Sequence, residues 1–223
     1  MTILISEIFG PTIQGEGAAI GKPTVFVRTG GCDFRCTWCD TLYAVLPEYK
    51  AEWTAMEPSA ILDQVDALAG GPILVTLSGG NPALQPLGEL LYEGHQRGHT
   101  FTLETQATVA RAWMYQLDYL TLSPKPPSAG NVTTPKTIAK CISAFGKTEV
   151  SLKIVVFDDG DYQYAHDIAE TFPRLPLYLQ VGTNRQVDPW TDPSDLLMER
   201  YHWLIGKVLG DRWSTATVLP QLH

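Results

Sequence analysis

Short apolar runs alternate with amphipathic stretches along almost the whole chain, and this alternation limits the fold more than any other feature. Strands are predicted over 24–28, 73–77, 100–103, 119–122, 150–157, 177–180 and 216–219, where β-branched and aromatic residues concentrate. Helices fit between them at 58–68, 86–97, 108–116, 135–145, 161–171 and 194–209. In the first helix Ile61, Leu62, Val65 and Leu68 recur at helical spacing, and Gly70-Gly71 follow as a stop. Repeated strand–helix units imply an α/β fold with a parallel sheet, curled or open, and helices outside. No internal repeat, low-complexity tract or long linker divides the chain, so residues 1–223 read as one domain.

Polar clusters follow successive strands: Ser78-Gly79-Gly80-Asn81-Pro82, Glu104-Thr105-Gln106, Ser123-Pro124-Lys125, Gln180-Val181-Gly182 and Pro220-Gln221-Leu222-His223. In a parallel sheet these ends share one edge, where loops converge and helix N-termini point at a ligand. Polar residues also simply end strands. Five such clusters on the edge that also carries a cysteine loop argue for a site.

The chain has a formal net charge of −8 and no basic run, which argues against a nucleic-acid binder, since such proteins cluster Lys and Arg. No apolar run approaches the roughly 20 residues needed to span a bilayer, and the N-terminus lacks the pattern of a signal peptide. A soluble, cytoplasmic protein is expected. Three of the four cysteines fall within eight residues, a poor disulfide framework and a common metal-binding one.

That loop reads Gly30-Gly31-Cys32-Asp33-Phe34-Arg35-Cys36-Thr37-Trp38-Cys39-Asp40-Thr41. Cys32, Cys36 and Cys39 can each ligate one iron of a 4Fe–4S cubane and leave the fourth iron open to a chelating ligand. The pattern, with Trp38 placed to pack near adenine, resembles radical S-adenosylmethionine enzymes. In these the cofactor's amino and carboxylate groups take the open iron, and its reductive cleavage gives a 5′-deoxyadenosyl radical. A zinc knot is the competing reading, but zinc wants a fourth Cys or His, and the nearest are His95 and Cys141. Cys141, between Ile138 and Ile142 on a predicted helix, reads as a core residue. The turn Ser78-Gly79-Gly80-Asn81-Pro82 resembles the superfamily's second signature, with Asn81 where an acidic residue is usual.

Phe9-Gly10-Pro11-Thr12-Ile13-Gln14-Gly15-Glu16-Gly17, together with the cluster loop, Leu103-Glu104-Thr105-Gln106, Leu122-Ser123-Pro124-Lys125 and Val218-Leu219-Pro220-Gln221-Leu222-His223, resembles the 7-carboxy-7-deazaguanine synthase family over nearly the whole chain. The resemblance implies a modified, incomplete TIM-like barrel. It implies rearrangement of 6-carboxy-5,6,7,8-tetrahydropterin to 7-carboxy-7-deazaguanine with loss of ammonia. Hydrogen is abstracted at C6 and returned, so that S-adenosylmethionine is catalytic. It further implies Mg2+ on Thr41, a flavodoxin- or ferredoxin-type reductant, a small pterin substrate and a homodimer.

On the same resemblance, Ile13, Gln14, Gly15, Glu16, Arg28, Ser78, Glu104, Gln106 and His223 are the substrate-binding candidates. Arg28 offers a planar fork to a carboxylate, and Glu104 and Glu16 are the catalytic candidates. Trp38, Gly79, Gly80, Asn81, Ser123, Pro124, Lys125, Gln180, Val181, Gly182 and Thr183 are assigned to S-adenosylmethionine. Relatives continue past the Pro-Gln-Leu-His motif into an aromatic, glycine-containing tail that this sequence does not carry. His95, His99, His166 and His202 read as solvated or structural. Two rivals stay open: another radical reaction, such as activation of a protein glycine, and a non-enzymatic zinc-binding module.

Overall fold

A computed structural model describes residues 1–142, 147–182 and 193–222. Its elements run β1 (Ile3–Ile13), β2 (Pro23–Thr29), α1 (Leu42–Val45), β3 (Thr54–Met56), α2 (Pro58–Ala69), β4 (Leu74–Gly79), α3 (Gly88–Gln96) and β5 (Thr100–Thr105). They continue with β6 (Tyr119–Leu122), α4 (Pro135–Ile142), β7 (Glu149–Val156), α5 (Asp159–Thr171), β8 (Leu177–Val181), α6 (Pro193–Gly210) and β9 (Ala216–Leu219). The strands form one sheet in the order β3-β1-β2-β4-β5-β6-β7-β8-β9. From β2 to β9 every neighbouring pair is parallel, while β1 pairs antiparallel with both β2 and β3. The sheet does not close: β3 and β9 are its two edges, as expected of an incomplete barrel.

The strand register separates two chemistries. Val27, Leu77, Leu103, Leu120, Ile154 and Leu179 stand on one face and belong to the buried core under the helices. The alternate positions carry Arg28 beside Ser78, Thr76 beside Thr102, Glu104 beside Thr121, Thr121 beside Ser151, and Lys153 beside Tyr178. A parallel sheet covered by apolar layers on both faces reads as continuous hydrophobic runs. Here the period-two alternation persists because the second face is a polar interior, with Thr76, Thr102, Thr121, Ser151 and Lys153 all buried. Arg28, Ser78, Glu104 and Lys153 are thus fixed on strands and point to this polar face.

Two expectations are corrected. The segment 108–116 is not an α-helix; it makes only a 3-10 turn at Ala112–Gln116. Ala107 adopts φ +62 and Arg111 is extended, while Arg111 Nε donates to the Ala83 carbonyl and Met114 is buried singly, so side-chain anchors replace a helical face. The first strand is also earlier than Thr24. Residues 3–13 form β1, whose irregular register around Gly10 and Pro11 breaks the alternation that marks strands. The other helices lie close to their predicted ranges, although residues 143–145 of the fourth are outside the described residues. Cys141 is fully buried in the core.

Candidate active site

At the C-terminal ends of β2, β4 and β5 lies a cavity of about 700 Å3. The cysteine loop forms one wall, with Cys32, Cys36 and Cys39 half-buried and all facing it. The loop is pinned to the sheet by the glycine turn. Gly80 N donates to the Thr29 carbonyl and Asn81 N to the Gly31 carbonyl. A Cβ on Gly79 would collide with the Thr29 carbonyl oxygen, and one on Gly80 with that of Gly31. Both glycines are therefore demanded by close approach, Gly79 to the end of β2 and Gly80 to the cysteine loop, as well as lining the cavity.

Of the sequence-predicted residues, Ile13 lines the cavity from the end of β1, Gln14, Gly15 and Glu16 from the loop after it, and Arg28 and Ser78 from neighbouring strand ends. Glu104 and Gln106 reach it from β5 and the residues beyond, and Trp38, Thr41 and Lys125 complete the set. Asn81 does not line it. Its fully buried side chain donates to Asp33 Oδ1 at 2.8 Å and Thr108 Oγ1 at 3.2 Å, and accepts from Thr105 Oγ1 and Ala83 N. Ser123, Pro124, Gln180, Val181 and Gly182 are buried behind the lining. Thr183 and His223 lie outside the described residues.

Trp38 and Lys125 are braced from behind. Trp38 Nε1 donates to Ser128 Oγ at 3.0 Å, and Ser128 Oγ donates to Asp161 Oδ2 at 2.6 Å. The Trp38 ring leans on Phe157 with centroids 5.1 Å apart, and a Cβ on Gly182 would collide with the Phe157 ring. Gly182 thus acts on the cavity through Phe157 and Trp38. Lys125 Nζ donates to Ser123 Oγ at 3.1 Å and lies 5.6 Å from the Trp38 ring centre.

Sequence reasoning missed a residue buried behind Glu16 and Glu104. Lys153, on β7, pairs with Glu104 at 2.6 Å and with Glu16, and its side chain is almost wholly buried. Burial is the largest single influence on this ammonium and disfavours its charge. The adjacent carboxylates of Glu104 and Glu16 together outweigh it and hold the pKa above the ordinary lysine range. Glu16 also accepts from Gln221 Nε2 at 3.2 Å. The available signal was a lone charge inside a mostly apolar strand, Val150-Ser151-Leu152-Lys153-Ile154-Val155-Val156. Arg28 likewise has an unforeseen partner. Its Nε donates to Glu7 Oε1 at 2.6 Å, and Tyr43 OH donates to the same oxygen at 2.7 Å. Burial and the Glu7 bond push the Tyr43 phenol up to about 12.

The Radical SAM superfamily model matches residues 26–125. A 7-carboxy-7-deazaguanine synthase of Bacillus cereus is 41% identical over 226 residues, covering 99% of this chain and 94% of that protein. The chain belongs to the 7-carboxy-7-deazaguanine synthase family. The Bacillus subtilis member is 40% identical over 99% of this chain and 94% of its own length. The fold matches the crystal structure of QueE from Escherichia coli with a TM-score of 0.69 at 22% identity, over 98% of this chain and 94% of that one. Streptococcus suis SuiB bound to S-adenosylmethionine matches with a TM-score of 0.56 at 14% identity, over 84% of this chain and 47% of SuiB.

A family member of this superfamily carries a 4Fe–4S cluster and S-adenosylmethionine, and the residues present fit both. Three cubane ligands bind three different irons, so they need not meet at one point. Among the described residues no three or more His, Cys, Asp or Glu side chains converge on a single ion, as a zinc knot would require. Burial pushes the Cys32 thiol up and the Cys36 thiol to about 11, and a bound metal would supply positive charge that favours their thiolates. Behind the lining, Gln180 Nε2 donates to the Pro220 carbonyl, while Gln180 Oε1 is buried without a partner among the described residues.

Proposed function

We propose that this chain converts 6-carboxy-5,6,7,8-tetrahydropterin to 7-carboxy-7-deazaguanine with release of ammonia. The observation that carries the reading is the meeting of three cluster thiols, a carboxylate-binding arginine and the Glu16–Lys153–Glu104 group around one cavity. Membership of a family whose relatives bear that enzyme name supports the same substrate. Cys32, Cys36 and Cys39 would hold the cluster, which when bound would supply the electron for reductive cleavage of S-adenosylmethionine.

The chain's own residues hold and shield the substrate. Glu7 takes the Nε–H of Arg28, which fixes the guanidinium in plane and leaves its terminal nitrogens for a substrate carboxylate. Gln14 is tied to Thr76 and to the Glu16 backbone N–H, so the 13–16 turn presents backbone groups in a set order to the pterin edge. Two carboxylates share one ammonium, which leaves one net negative charge for the N–H-rich edge of the pterin. Glu104, on that pair, is placed to hold or move a proton as the ring contracts. Thr41 Oγ1 would hold Mg2+, with substrate and water oxygens completing a shell that magnesium prefers to keep largely hydrated.

The remaining roles follow the same reading. Trp38, Gly79, Gly80, Lys125 and Ser78 face the bound cofactor or its neighbour, the substrate. Asn81, Ser123, Pro124, Gln180, Val181 and Gly182 support that wall from behind. One domain, acting in the cytoplasm as a homodimer and reduced by a flavodoxin- or ferredoxin-type carrier, completes the proposal; none of the described helices is long and apolar enough to cross a membrane.

Anaerobic incubation of the reduced, cluster-loaded protein with S-adenosylmethionine, Mg2+ and the carboxytetrahydropterin tests it. The expected result is 7-carboxy-7-deazaguanine and ammonia in equal amounts, with S-adenosylmethionine undiminished. An intact cluster that cleaves S-adenosylmethionine but leaves the pterin unchanged would sink the substrate assignment and favour another radical reaction.

A further inference from the structure

Cys32 is bonded unlike the other two cluster cysteines. Its Sγ accepts from the Phe34 backbone N–H at 3.4 Å and from Gln106 Nε2 at 3.4 Å. Cys39 Sγ has only the Thr41 hydroxyl at 3.8 Å, and Cys36 Sγ has no hydrogen bond among the described residues. The Gln106 amide is held for this contact. Its Nε2 also donates to Asp33 Oδ1 at 2.6 Å, and an ionised carboxylate only accepts, so the NH2 end of the amide must face both groups. One hydrogen goes to Asp33 and the other to the sulfur. The backbone is fixed as well: Thr133 Oγ1 donates to the Gln106 carbonyl at 3.1 Å, and Lys125 N donates to Thr133 Oγ1 at 3.0 Å. The residue is buried and belongs to the strand end that also supplies Glu104.

We infer that Gln106 is a positioning residue that sets the reduction potential of the cluster through the Cys32 sulfur, rather than a substrate-binding residue. An N–H aimed at a ligand sulfur stabilises electron density there, and the reduced cluster carries one more electron than the oxidised one. Each such bond therefore favours the reduced state and raises the potential. In this fold one of the two bonds on Cys32 comes from the local backbone. The other comes from a side chain seventy-four residues away, on the element that reaches toward substrate. The inference rests on the cluster reading above, not on the identity of the pterin.

The test is a one-electron potentiometric titration of the reconstituted protein with titanium(III) citrate and viologen mediators, read by the EPR signal of the reduced cluster. Parent, Gln106→Leu and Gln106→Asn are compared, all without S-adenosylmethionine or substrate. Both variants lack a donor that reaches the sulfur, and both should take up iron and sulfide as the parent does. Each should show a lower midpoint, with a smaller reduced fraction at the poise that half-reduces the parent. Removing Gln106 also unshields the Asp33 charge, so the Leu substitution is repeated in an Asp33→Asn background. There the downward shift should persist.

A parent midpoint retained by both variants overturns the inference. So does a shift that vanishes in the Asp33→Asn background, which would assign the effect to Asp33. Failure of both variants to hold a cluster that the parent holds would make Gln106 an assembly residue and overturn it too. A parent that takes up no iron would instead refute the cluster reading itself.

Discussion

Lys153 Nζ lies 2.6 Å from Glu104 Oε1 while its other carboxylate partner, Glu16, comes from the loop after the first strand, 137 residues away in sequence. A single buried ammonium thus joins the loop proposed to read the substrate edge to the strand that carries the proposed proton-handling group. Removing one member of such a buried set leaves uncompensated charge and costs about 3–5 kcal/mol. Lys153→Met should be destabilised by roughly this much near neutral pH, with turnover lost and the cluster retained. The deficit should shrink on acidification, because the stranded carboxylates regain balance by taking up a proton. In the parent the sign differs. The lysine pKa is raised on folding, so its stabilisation is complete below the unfolded value of about 10.4 and is lost only above it. Denaturant melts of both proteins across acid to neutral pH check this, and equal deficits at every pH would contradict it. Lys153→Arg should recover part of the stability.

The cluster loop, the glycine turn and the strand–helix alternation were legible because each is encoded in residues close in sequence. The Lys153 group was not, because its three members lie on different strands and loops and only the register brings them together. Strand alternation held the clue, since Thr76, Thr102, Thr121 and Ser151 interrupt runs that a sheet with two apolar faces would keep continuous. β1 escaped notice for the opposite reason: Gly10 and Pro11 and two register shifts obscure its period. The 108–116 segment carries good helix formers, but Arg111 and Met114 are fixed by tertiary anchors instead.

Asn81 stands where an acidic residue is usual for the superfamily, and its neighbour explains it. Its Nδ2 donates to Asp33 Oδ1 at 2.8 Å on the cysteine loop. Asn81→Asp would set two carboxylates against each other and strip Asp33 of a donor. The expected result is a loss of about 2–3 kcal/mol and weaker cluster retention. Asn81→Asp with Asp33→Asn restores an opposite donor–acceptor pair and should recover much of it. Denaturation midpoints and visible absorbance after reconstitution read both; a double variant no better than the single one would count against the contact.

Arg28 serves two acceptors at once in the proposed complex, Glu7 through Nε and a carboxylate through its terminal nitrogens. Lysine carries the charge but not the fork. Arg28→Lys should raise KM for the carboxytetrahydropterin about tenfold, with uncoupled S-adenosylmethionine cleavage and cluster content unchanged. Steady-state kinetics over a range of substrate concentrations decides it, and an unaltered KM would remove Arg28 from the substrate site.

Cys36 is a proposed cluster ligand, and Cys141 packs in the core. Cys36 faces the cavity, half-buried, whereas Cys141 is fully enclosed by the core of α4 and burial alone pushes its thiol to about 11. A thiol that costly to ionise behaves as a small hydrophobe. Cys141→Ala should keep the cluster's visible absorbance and iron content while lowering stability by about 1–2 kcal/mol, the cost of a small cavity. Cys36→Ala should lose the absorbance. Equal loss of colour in both variants would mean that Cys141 also holds metal, and then no iron would be left open to chelate S-adenosylmethionine.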